Sequence, residues 1–168
     1  MKKLVNRFFL TIFKISWVKR RWANRFETVP VQSNPFAPAP TSLGEVRLAL
    51  ISTAGSHHRD DQPFDMENLD GDASFRVFNH DLPQADLAIT HNYYDHANAD
   101  RDINCVLPLN ALDTAVKEKK ISSAATQVYS FMGHIQNKPL EELMNDSIPK
   151  LIEHLKKDRV TACLISPA

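Results

Sequence analysis

The seven residues THNYYDH, 90–96, place two imidazoles, two phenols and a carboxylate in one short run. Histidine beside a carboxylate moves protons near neutral pH, and a tyrosine hydroxyl donates to a developing anion. His91 and His96 stand five residues apart, which does not match the four-residue step of two metal ligands on one helix face. The run therefore points to proton handling, with Asp95 as the acidic member, or to a loop held together by its own side-chain hydrogen bonds. On the residues alone the two readings weigh equally. His134, directly after Gly133 in YSFMGH, is a third imidazole at an element end, where a buried structural ring is the plainer alternative.

Other groups carry less. His57 and His58 beside Asp60 and Asp61 hint at a metal, but adjacent residues on a polar loop are usually just solvated. ENLDGD, 67–72, lacks the acidic ladder and terminal Glu of a calcium loop. Cys105 and Cys163 sit in apolar runs outside any CxxC or zinc spacing, which predicts two small buried core residues. The absence of a disulfide framework also predicts a reducing, cytoplasmic setting. These pieces can hold and move protons, but none is an evident nucleophile.

The elements that must position them follow from periodicity. Residues 46–51 form a β-rich apolar run ending in a small-residue turn at Gly55, without the glycine pattern of a nucleotide-phosphate cradle. Residues 56–86 are polar, acidic and rich in turn formers, and predict a long surface excursion. Strands are expected at 87–90 and in CVLP, 105–108, then a helix over 109–119 and a strand or loop over 121–133. Residues 140–157 carry the apolar stripe of a helix that covers a sheet, with Pro149 expected to kink or split it. A buried strand over 160–165 closes the order. Alternating β and α elements predict an α/β fold with a parallel, Rossmann-like sheet and flanking helices, in which ligands sit outside the carboxyl ends of the strands.

Charge divides the chain. Of twenty Lys/Arg and twenty Asp/Glu, eight basic residues but only one acid, Glu27, lie before residue 44. Residues 1–27 read as a basic amphipathic helical arm, 28–43 as an uncharged Pro-rich connector, and 44–168 as the α/β domain. The arm imitates a signal peptide, but Arg7 and Lys14 interrupt its apolar stretch and no small-residue cleavage site follows. It is too short and charged to span a bilayer; packing on protein is favoured over a membrane-surface anchor. The acidic body argues against nucleic acid as a partner.

The blocks ALISTAGSHHRDDQPFDMEN, GDASFRVF, ITHNYYDHANADRDINCVLPLNAL, ISSAATQVYSFMGHI and VTACLISPA, in this order from residue 46 onward, resemble the selenoprotein B family of glycine, sarcosine, betaine and D-proline reductases. PFDM at 63–66, YDH at 94–96 and SFMGH at 130–134 carry most of the likeness. The resemblance implies that the last strand leads into a turn holding selenocysteine or cysteine, usually with another cysteine close behind. The selenolate would attack the α-carbon of a small amine or amino-acid derivative, cleave its C–N bond reductively, and leave a selenoether or mixed selenide-sulfide for a thiol electron donor to resolve. His91, Asp95, His96 and His134 would act as proton donors or orienters around it. A partner subunit would supply a pyruvoyl group to activate the substrate amine. The sequence itself carries no cofactor. Because UGA, the selenocysteine codon, ordinarily reads as a stop, the expectation is that translation continues past Ala168 and that this is the N-terminal part of the oxidoreductase. The alternative is a short non-catalytic binding subunit or a decayed gene product of the same family.

Overall fold

In the computed structural model, which describes residues 15–24 and 37–168, the strands are β1 (Arg47–Ser52), β2 (Ser56–His58), β3 (Arg76–Asn79), β4 (Leu87–Ile89), β5 (Ser123–Ala124), β6 (Gln127–Ser130) and β7 (Ala162–Ser166). The helices are α1 (Ser16–Ala23), α2 (Leu109–Lys117), α3 (Asn137–Glu142) and α4 (Ile148–Lys157), with a π-helical turn, Leu143–Ser147, joining the last two. The chain divides into two units. The smaller holds residues 1–39 and 92–95, and the larger holds 40–91 and 96–168.

In the larger unit β1 is the central strand. Its RLALIS run is apolar in consecutive positions and buried from Ala49 to Ser52, the signature of a parallel strand with neighbours on both sides. β5 and β6 follow one another along one side, parallel to β1, with Leu48 opposite Ala124 and Ile51 opposite Tyr129. β7 lies parallel on the other side, from Leu48 opposite Ala162 to Ser52 opposite Ser166. β3 adds an antiparallel strand to β6, and β2 with β4 forms a separate antiparallel pair. The architecture is a mixed α/β domain whose main sheet is mostly parallel.

The α3 to α4 segment buries its apolar stripe against the sheet. Leu151 joins Ile51, Tyr129 and Phe131 in one cluster, with Phe75, Leu143, Ile148 and Leu155 packed around it. The split expected at Pro149 takes the form of the π-helical turn that precedes it, Pro149 itself standing in the first turn of α4. Proline lacks the N–H that an α-turn would use, and a wider turn absorbs the mismatch. At the amino ends of the strands Arg47 ties three segments together. It donates to the Ala124 carbonyl (2.6 Å), the Asp158 carbonyl (2.7 Å) and the Asp158 carboxylate (2.5 Å).

Four expectations need correction. CVLP is not a strand: residues Ile103–Cys105 make a 3-10 turn, because the Asp102 carboxylate accepts the Asn104 N–H (3.0 Å) and offers the backbone a local partner. The last strand runs 162–166 and is not buried. It is a sheet edge with β1 as its neighbour, and Leu164 and Ile165 are 44% and 60% exposed. Cys105 and Cys163 are both exposed rather than core residues, the first leaving that turn and the second on this edge strand. The excursion 56–86, read as one long surface loop, holds two short strands, β2 and β3.

In the smaller unit α1 carries Trp17 exposed and Arg20 and Arg21 in its last turn. Most of the amphipathic arm and of the Pro-rich connector, residues 1–14 and 25–36, lies outside the described residues. Among the described residues no helix is long and apolar enough to cross a membrane.

Candidate functional site

The carboxyl ends of β1, β6 and β4 are joined by backbone bonds. Phe131 N–H donates to the Ser52 carbonyl (2.8 Å), Gly55 N–H to Phe131 (2.8 Å), and Thr90 N–H to Gly55 (2.9 Å). Gly55 takes φ of 71°, and a Cβ there would stand 2.5 Å from the Thr90 carbonyl oxygen, so this crossing requires glycine. Three buried serines close the floor: Ser56 donates to Ser130 (2.9 Å), and Ser52 donates to the Val106 carbonyl (3.0 Å).

His91 stands on this floor, 4% exposed. Its Nε2 accepts the Gly133 N–H at 3.0 Å, so that nitrogen bears no proton and the neutral ring carries its hydrogen on Nδ1. Burial, then the fields of His134 and His96, lower its pKa from 6.5 to about 4. His91 is thus neutral at physiological pH, and its Nε2 lone pair is already spent on backbone.

The other expected residues are placed as follows. His134 directs Nε2 at the Leu69 carbonyl (3.0 Å), a contact in which the ring must donate. His96 Nδ1 lies 2.8 Å from the Asp100 carboxylate, beside it as an ion pair when the ring is protonated. His91, His96 and His134 all belong to the larger unit and are close enough for the last two to act on the first. Asp95 belongs to the smaller unit, with Tyr93 and Tyr94. His57 is buried with both ring nitrogens engaged, Nε2 at Thr90 Oγ1 (2.9 Å) and Nδ1 at the His58 carbonyl (2.6 Å).

In the 62–76 loop Asp65 and Asp72 spend their carboxylates on the loop's own backbone. Asp65 accepts from Glu67 and Asn68 N–H, and Asp72 accepts from Asp65 and Ser74 N–H. Arg76 spans the loop, lying 4.3 Å above the Phe64 ring and bonding the Gln62 and Pro63 carbonyls. Gly71, at φ of 95°, packs so tightly under the His134 carbonyl that a side chain there would overlap it. Among the described residues no cluster of three metal-ligating side chains occurs. Partial burial of its thiol raises the Cys163 pKa and so lowers its thiolate fraction.

Sequence reasoning singled out Gly133 only as the end of a run, and passed over Thr53 and Asp100. Asp100 lies four residues after His96, a helical-turn spacing that a search for carboxylate partners would have found.

The model of the glycine/sarcosine/betaine reductase selenoprotein B family matches residues 20–167. The chain belongs to this family. Its curated relatives include the D-proline reductase subunit gamma of Acetoanaerobium sticklandii, 32% identical over 139 residues, which cover 82% of this chain and 55% of the relative. The chain therefore spans about half the length of that relative. No solved structure matches it. The blocks that carry the resemblance are those that build the site: the turn after β1, the loop after β4, and the segment after β6 that presents Gly133 and His134.

Proposed function

We propose that this chain forms the N-terminal part of a selenol- or thiol-dependent oxidoreductase that replaces the C–N bond of a small amine or amino-acid derivative by C–H, with two electrons from a thiol donor that ends as a disulfide. The observation that carries this reading is the meeting of His91, the Gly133 N–H and the end of β7 at one edge of a mostly parallel sheet, in a chain of the selenoprotein B family. In this reading a selenocysteine or cysteine directly after Ala168 supplies the nucleophile. The site suits such a group, because the segment leaving β7 runs past Gly133 and His91.

The residues divide the work. His91, neutral and bonded to backbone, orients the 133–134 segment and excludes water. His96, held by Asp100, and His134 supply or hold the proton that the leaving nitrogen needs. Asp95 is assigned an orienting role. A pyruvoyl group, which activates a substrate amine by condensing with it, is assigned to a partner subunit. Residues 1–27 serve as a basic arm packed on protein, 28–43 as a connector and 44–168 as the reductase part, in a cytoplasmic complex.

The deciding experiment is direct sequencing of the gene through the codon after Ala168. An in-frame UGA, or a Cys codon, followed by an open frame is the expected result; UAA, UAG or immediate closure of the frame overturns the proposal. In the extended protein, His96→Gln should lower turnover by roughly a hundredfold with folding intact, the scale of a lost proton-transfer group. Unchanged turnover removes His96 from the mechanism.

A further inference from the structure

The backbone that follows β7 is fastened to the end of β1 in an unusual way. Thr53 N–H donates to the Ser166 carbonyl at 3.1 Å, continuing the parallel ladder by one step. Pro167 has no N–H and cannot continue it. The next donor, Ala168 N–H, is caught instead by a side chain, Thr53 Oγ1, at 3.1 Å and across 115 residues of sequence. Gly133 closes the arrangement from the β6 side. A Cβ on it would stand 2.9 Å from the Ala168 carbonyl oxygen, 3.2 Å from the Thr53 carbonyl oxygen and 3.4 Å from His91 Nε2. Gly133 is not in the left-handed region; what requires glycine here is the close approach of three groups.

We propose that Thr53 and Gly133 are positioning residues of the site: the Thr53 hydroxyl fixes the backbone that follows β7, and the bare Cα of Gly133 lets that backbone come within reach of His91. The catalytic meaning rests on the proposed function, in which that backbone leads to the nucleophile; the clamp itself is a property of residues 53, 133 and 168. A hydroxyl is needed at residue 53 because a strand carbonyl is not available to Ala168 once Pro167 has broken the ladder. The Gly133 N–H, held by His91, keeps the third side of the clamp in register.

The test uses the full 168-residue chain and two readouts that a general loss of stability does not mimic, amide exchange at Ala168 and ring titration of His91 by NMR. Thr53→Val, equal in shape but without the acceptor, should speed exchange at Ala168 by about tenfold, the equivalent of one ordinary hydrogen bond. Thr53→Ser should restore it. Gly133→Ala should raise the His91 titration toward the ordinary histidine range, by opening its buried ring to solvent and displacing the N–H that the ring accepts. Unchanged exchange in Thr53→Val, or failure of Thr53→Ser to restore it in a folded chain, overturns the clamp. Unchanged His91 titration in Gly133→Ala overturns the part assigned to Gly133; if that variant does not fold, the Thr53 pair decides. In the extended protein, kcat should fall in Thr53→Val with KM unchanged and recover in Thr53→Ser. Faster exchange without any change in kcat would overturn the positioning role, whereas the gene sequence tests the nucleophile independently.

Discussion

His91 shows what one buried ring contributes to this fold. Accepting the Gly133 N–H requires the neutral form, and the folded pKa of about 4 lies below the 6.5 of the unfolded chain. Above about pH 6.5 neither state binds the proton, so stability does not depend on it. As the pH falls further, the unfolded chain takes a proton that the folded ring refuses until about pH 4. Stability is therefore lost across that window, by about 3 kcal/mol at most. His91→Gln retains an acceptor for the Gly133 N–H but cannot titrate. Urea denaturation from pH 7 to pH 4 should show the wild type losing this increment relative to the variant. Parallel pH profiles would show that the ring is not what titrates.

Among the elements, β1 and the turn between α4 and β7 depend on one pair. Burial pushes the Asp158 carboxyl up, but hydrogen bonds from Arg47 and the Thr126 N–H outweigh it and leave its pKa below the usual carboxylate range. The stability it contributes is present above the ordinary carboxylate pKa and is lost as pH falls below that range. Asp158→Ala should destabilise the chain by about 1–3 kcal/mol, a figure reduced because both side chains are 26% exposed. A lower urea midpoint with unchanged slope would be the signature. Much at this scale was legible in sequence. The apolar run of β1 and the stripe of α4 are local periodicities, and the structure contains both. β2 and β3 were not legible, because strands of three and four residues inside a polar stretch are too short to display a period. Their pairing with β4 and β6 comes from far along the chain.

Across the larger unit, the sheet has β7 at one side with Leu164 and Ile165 exposed, an apolar edge of the kind that recruits other strands. Leu164→Thr with Ile165→Thr should keep the strand's β-propensity while reducing self-association of the 168-residue chain. Sedimentation at increasing concentration would show the difference, and equal association of both proteins would place the sticky surface elsewhere. The charge division belongs to this scale as well, since the excess of basic residues before position 44 leaves the remainder of the chain acidic.

The sequence by itself determined the family, through blocks in a fixed order, and the mixed α/β class, through local periodicity and turn chemistry. It also brought the histidines to notice, because residue types are visible without a fold. Tertiary structure decided what those histidines touch. Whether His91 is a base or a neutral acceptor depends on Gly133, 42 residues away, and the hold on Ala168 depends on Thr53, 115 residues away. Such contacts follow from the order and register of strands, and a hydrogen bond between distant residues leaves no period in the sequence to read. The same reason made the last strand misleading: its composition reports an affinity for burial, while its burial is set by which strands and helices lie beside it.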